Sequence, residues 1–159
     1  VIDYITKAII TRLKADTGAG GLYESGSWHY VKGVYAYRAA DDADRPFIKV
    51  NVSQRNSDTL TSDGCEFTVS LSIVSNNSEG GALLQTIWNR VFGDAMLQTG
   101  RVPTYGLHRH ILSLGSTPLS ASCTYLMHDE TSEVFDEDTV TYSWDVRFSS
   151  RWDAQATSP

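Results

Sequence analysis

Basic residues are in short supply. Thirteen lysines and arginines stand against nineteen aspartates and glutamates, a formal net charge of −6 over 159 residues. A protein that holds nucleic acid by neutralising phosphates needs a basic face, and so does one that rests on an anionic membrane, so neither is an expected partner. Long apolar runs are missing too. None approaches the roughly 18 residues of a membrane span, and the first residues lack the basic-then-apolar layout of a secretory leader. Cysteine is limited to Cys65 and Cys123, with no C-x-x-C, which excludes zinc-ribbon and thioredoxin-like readings. Both fall on the apolar side of expected strands and read as reduced core thiols, and a disulfide would require those strands to be neighbours. Catalytic signatures are absent as well: the chain has no G-x-S-x-G, no phosphate-loop motif and no H-E-x-x-H.

What is present is one domain's worth of chain with an apolar fraction of 41%. Ile2, Ile5, Ile9 and Leu13 recur at three- and four-residue spacing, with Ala8 on the same stripe, and predict an amphipathic helix that ends in the glycines of "TGAGG". Those glycines resemble a phosphate-cradling loop only in composition, because they follow a helix where such a loop must open one. Residues 22–45, rich in aromatic and β-branched side chains, read as an irregular strand or extended arm broken at Gly33. "PFIKVNVSQ" and "CEFTVSLSIVS" alternate with period two and predict a long antiparallel hairpin. Its polar tip includes Arg55, Asn56, Asp58, Thr59, Leu60 and Thr61, a candidate contact surface.

"NNSEGGALLQTIWNRVFGDAML" predicts a second helix, capped by Asn77 or Ser78, with Leu84, Ile87, Trp88, Val91 and Ala95 on one stripe. Three strand candidates follow, "LHRHILSL", "SASCTYLMHDE" and "DTVTYSWDVRFSSRW". The expected fold is therefore α+β: an antiparallel-dominated sheet of about four to five strands, two helices packed on one face, and an extended hairpin loop. Residues 1–152 form the single domain, and 153–159 read as a disordered tail.

Two clusters invite a chemical reading. His108 and His110 form H-x-H, which on a strand would put both imidazoles on one face and, with a third ligand, could hold zinc. No matching third motif is visible, and His29 and His128 stand alone as ordinary polar residues. The second is "HDETSEVFDED", where Asp129, Glu130, Glu133, Asp136, Glu137 and Asp138 place six carboxylates in eleven residues. It has neither the spacing nor the glycine of a calcium loop. A loose divalent site or a catalytic carboxylate pair would need convergence in a cleft. The run is expected instead as an exposed hairpin tip centred on the apolar pair Val134 and Phe135, which suits a protein contact. Whether it stays negative for a contact, for a nearby DNA path or for solubility is open at this level.

The layout of a helix near "YITKAIITRL", a proline-led strand "RPFIKVNV", the alternating "GCEFTVSLSIVS", the helix "NNSEGGALLQTIWNRVF" and the closing strand "TVTYSWDVRF" resembles that of the tail-terminator (tail-completion) proteins of long-tailed bacteriophages and related gene-transfer particles. The resemblance spans residues 2–150, although the 22–45 arm and the acidic run have no counterpart in it. It implies a structural virion protein and not an enzyme, without metal or cofactor. Six copies would ring the head-proximal end of the tail tube, stop its growth and meet the head connector, with DNA passing through the lumen. A tail-tube subunit or neck protein is the nearest alternative, and a small metal-dependent hydrolase using the acidic run is a more distant one.

Overall fold

The computed structural model describes residues 2–39, 43–56, 64–76, 80–94, 103–113, 121–137 and 141–154. Helix α1 (Ile2–Lys14) is followed by the short strands β1 (Tyr23–Glu24), β2 (Ser27–Trp28) and β3 (Gly33–Ala36). Then come β4 (Phe47–Asn56), β5 (Gly64–Asn76), helix α2 (Gly80–Phe92), β6 (Ile111–Ser113), β7 (Ala121–Tyr125), β8 (Met127–Asp136) and β9 (Thr141–Ala154). β1 and β2 make a separate two-stranded ribbon. Ser25 and Gly26 turn it, both at positive φ (51° and 81°), the backbone a two-residue hairpin favours.

The main sheet has seven strands in the order β3-β4-β5-β9-β7-β6, with β8 also paired to β9. β5 occupies one side of β9 from Thr141 to Asp153, while β8 and β7 share the other. Alternation puts the apolar residues of the long strands into rows across the sheet. Val50, Leu71 and Val146 make one row; Ile48, Ile73 and Trp144 make the next; Val52, Val69 and Phe148 a third. All nine side chains are buried in one cluster with Ile5, Ile9 and Leu13 of α1 and Leu84, Ile87 and Val91 of α2, so both helices lie on this face. Each such Ile, Leu or Val contributes roughly 2 kcal/mol by leaving water. The opposite face is polar: Asn51, Ser53, Asp145, Arg147 and Ser149 are exposed, and Thr68, Ser70 and Ser72 half-buried.

One polar clamp holds the helix ends together. Asp16, buried just past α1, accepts hydrogen bonds from the Leu22 amide (3.1 Å) and from Arg90 Nε of α2 (2.9 Å), and Arg90 Nη2 bonds its other oxygen. The same guanidinium lies 3.6 Å above the Tyr105 ring. That carboxylate and its hydrogen bond raise the Arg90 pKa against the opposing effect of burial. Arg12 of α1 donates to the carbonyls of Gly106 (2.9 Å) and Pro103 (3.0 Å), which ties the segment after α2 to α1. Gly93 ends α2 at φ 103°, and a Cβ there would overlap the Tyr105 carbonyl oxygen and lie 2.9 Å from Gly106 Cα. Only glycine lets those two segments pass so closely.

The expected α+β class, the one-sided helix layer and the long hairpin are all present. The hairpin runs through ten register pairs, from Phe47↔Val74 to Asn56↔Cys65. The sheet is wider than expected and mixed, because part of the supposed arm is β3, which pairs with β4 in parallel. Gly33 starts that strand and does not break it. Among its described residues "LHRHILSL" contributes the three of β6, and "SASCTYLMHDE" is split at buried Leu126 into β7 and β8. β9 runs to Ala154, past residue 152; residues 155–159 lie outside the described residues, as do Asn77, Ser78 and Ala95.

Cys65 and Cys123 both pair with Trp152, from opposite sides. Two strand spacings, about 9–10 Å, separate their backbones, more than a disulfide spans. Unfolding midpoints in urea are therefore expected to be the same with and without reductant; a drop on reduction would contradict this register. Arg90→Met leaves the Asp16 carboxylate buried without its cation and should cost about 3 kcal/mol of unfolding free energy. A loss below about 1 kcal/mol would remove the clamp from the account.

Candidate functional site

The acidic run is not a hairpin tip. Asp129 to Asp136 form most of β8, an antiparallel partner of β9. Glu137 begins the turn, and Asp138 lies outside the described residues. The run reads as a loop in sequence because no alternate set of its side chains is apolar. Backbone pairing to β9, itself fixed by β5, makes it a strand without a buried face of its own.

Cross-strand register assigns the faces. Thr131, Glu133 and Phe135 stand opposite Val146, Trp144 and Tyr142, on the face that the helices cover. Glu130, Ser132, Val134 and Asp136 stand opposite Arg147, Asp145, Ser143 and Thr141, on the polar face. A register shift between His128 and Glu130 marks a bulge at Asp129. Every residue of β8 except half-buried His128 is exposed, on both faces. The helix layer therefore stops short of this strand. Its last reach is Trp88 and Phe92 of α2, whose ring centroids lie 5.1 and 5.7 Å from that of His128.

The root of β8 is held firmly. His108 is buried and stacks on Phe92 with ring centroids 4.5 Å apart. Its Nδ1 accepts the His128 backbone amide at 3.1 Å, so the neutral ring carries its proton on Nε2. Leu126 exchanges backbone hydrogen bonds with the next loop, donating to His110 O (3.0 Å) and accepting from Arg109 N (2.7 Å). Beyond that root, from Asp129 to Asp136, β9 is the one strand paired to β8 among the described residues. The far side of the strand thus presents its amides and carbonyls to whatever lies next to it.

Among the described residues four large hydrophobic side chains are exposed, and their placement is uneven. Met127 (43%), Val134 (44%) and Phe135 (48%) are on β8; Tyr37 (45%) directly follows β3, the strand at the other end of the sheet. Sequence patterning singled out Val134 and Phe135 but missed Met127 and Tyr37. Only the strand order shows that all four sit on or beside edge strands, β8 and β3, while β6 ends the sheet beyond β7.

The remaining candidates do not converge. His108 and His110 do not share a strand face: Arg109 between them turns the chain at φ 64°. His110 Nδ1 is buried without a hydrogen-bond partner among the described residues. Burial first, and the charge of Arg12 second, push its pKa down to about 4. Among the described residues no three His, Cys, Asp or Glu side chains gather to hold a metal. His29 makes a local contact, its Nδ1 3.2 Å from the Gly21 carbonyl oxygen and 3.4 Å from Glu24. Arg55 and Asn56 close β4, paired with Glu66 and Cys65; Asp58, Thr59, Leu60 and Thr61 lie outside the described residues.

No protein-family model and no curated protein matches the chain. Among solved structures it is similar to a chain described as "Virion of native gene transfer agent (GTA) particle". The TM-score is 0.61 over 94% of this chain and 95% of that one, at 14% identity. The two share a fold from end to end while most side chains differ.

His110 gives this region a pH signature. With a folded pKa near 4, the ring stays neutral in the native state while the unfolded chain takes up its proton near pH 6.5. Its contribution is complete above pH 6.5 and is lost as pH falls toward 4, at no more than about 1.4 kcal/mol per pH unit. Unfolding free energy of the wild type relative to His110→Met should be constant from pH 8 to about pH 7 and decline below that. A flat difference down to pH 4 would contradict the neutral, partly buried ring.

Proposed function

We propose that this chain is a structural virion protein of the tail-terminator kind. Copies of it form a ring, six-fold in this reading, on the head-proximal end of a tail tube. The ring stops the tube from growing and offers the head connector its seat. The observation that carries the proposal is the end-to-end fold match to a gene-transfer-agent virion chain. A one-sided sheet whose edge strands β3 and β8 each have one strand partner among the described residues supports it, since ring subunits need two different surfaces that meet head to tail.

The acidic strand supports a role by field. Its carboxylates alternate between two exposed faces along a strand, and the shallow cavity beside it is lined by one of them, Glu130, with Asp145 and Arg147 of β9. Acidic residues beside a DNA path repel the duplex and leave it mobile, where basic ones would release counterions and hold it. Tail tube, neck protein and passing DNA are thus the partners in this reading, and the 54–64 loop is the proposed contact with tube or neighbour.

The distinction from a tail-tube subunit lies in what the copies do at the tube end. Particles made without this chain should carry overlong tubes that lack heads. Headed tails of normal length without it would overturn the terminator reading, and purified chain stacking unaided into long cylinders would replace it with a tube subunit. Deleting residues 56–62 should leave the chain folded by circular dichroism but block tail completion; normal tails from that deletion would free the loop of this role.

A further inference from the structure

Strand direction decides how two copies can meet. β3 and β4 run one way, β5 the other, β9 again the first way, and β8 against it. The edge strands β3 and β8 therefore run in opposite directions. Rotation about an axis along the strands leaves every strand's direction unchanged, so β8 of one copy meets β3 of the next antiparallel, the more stable of the two ladders.

We infer that the copies join by this route: the side of β8 turned away from β9, from Asp129 to Phe135, adds to the outer side of β3 (Gly33–Ala36) in the adjacent copy. The inference rests on the ring proposed above and names its contact. β3 has β4 as its single strand partner among the described residues, so its outer backbone faces the same need as β8. Side chains fit the same pairing. Phe135, on the helix-covered face, would enter beside Tyr37, whose hydroxyl lies 3.2 Å from Thr6 Oγ1 of α1. Phe135 and Tyr37, both exposed in the single copy, would leave water together.

Charge points the same way. β8 carries Asp129, Glu130, Glu133 and Asp136, and Arg147, 3.7 Å from Glu130, is the one basic residue opposite it in the β9 ladder. Lys32 precedes β3 and Lys7 follows Thr6 on α1; both are exposed, with Asp44 as a nearby acid. A second β8 would instead face like charges across the ladder, which disfavours a two-fold pairing through this strand. The contact is therefore heterologous, and repeating it closes a ring with one continuous sheet.

Cysteine pairs in the full chain test this, on a Cys65→Ser, Cys123→Ser background. One variant carries Phe135→Cys and the other Ala36→Cys, and a short bismaleimide joins thiols held close together. The expected result is a cross-linked dimer from the mixture that neither variant gives alone, and its loss when Val134→Asp is added to the Phe135→Cys chain. Dimers from Phe135→Cys alone would mean a two-fold contact and overturn the inference. No mixed product up to the solubility limit would overturn it as well. Ring-shaped oligomers without the mixed product would remove this contact and leave the terminator reading standing; that reading fails separately, on tail length.

Discussion

The β5–β9 ladder is the constraint on which the rest of the molecule depends. Thirteen register pairs, from Gly64↔Asp153 to Asn76↔Thr141, join its two longest strands. β4 hangs on one side of this ladder, and β7 and β8 on the other. Period-two alternation in both strands turns the apolar rows to a single side, so both helices must lie there. The Asp16–Arg90 clamp then fixes the end of α1 against α2, and Arg12 holds the segment leading to β6. Bare β8 is a consequence of the same ladder. It is ordered by backbone pairing to a strand already anchored elsewhere, and nothing requires its side chains to be buried.

How much of this was legible in the sequence depended on whether an element carries its own buried face. "CEFTVSLSIVS" and "TVTYSWDVRF" alternate so regularly that their strands and inner residues could be read directly, and the isoleucine stripe of α1 likewise. β3 was not legible. Its four residues are a strand through parallel pairing with β4, a partner more than ten residues away that no local pattern reveals. The H-x-H reading failed because Arg109 adopts positive φ, which a non-glycine residue does not advertise. The run around Val134 and Phe135 was correctly singled out as exposed and apolar at its centre, but wrongly placed in a turn. Charge suppressed the strand signal without suppressing the strand.

Polarity is distributed with the same economy. The uncovered sheet face is mostly hydroxyl and amide, as in Asn51, Ser53, Ser70 and Ser72, and its few charges are partly matched, as between Arg147 and Glu130. Negative charge gathers on β8, and exposed apolar area gathers on β8 and at Tyr37. A chain whose exposed apolar residues lie at two edge strands of one sheet is suited to meeting copies of itself edge to edge. In the function proposed above, that suitability would serve a ring of copies.

Electron microscopy of assembled particles that carry an epitope tag after Pro159 tests the central claim most directly. The account predicts label at one level only, the junction of head and tail, as a single ring with six-fold averaged density. Label repeated along the whole tube, or confined to the tip far from the head, would contradict it.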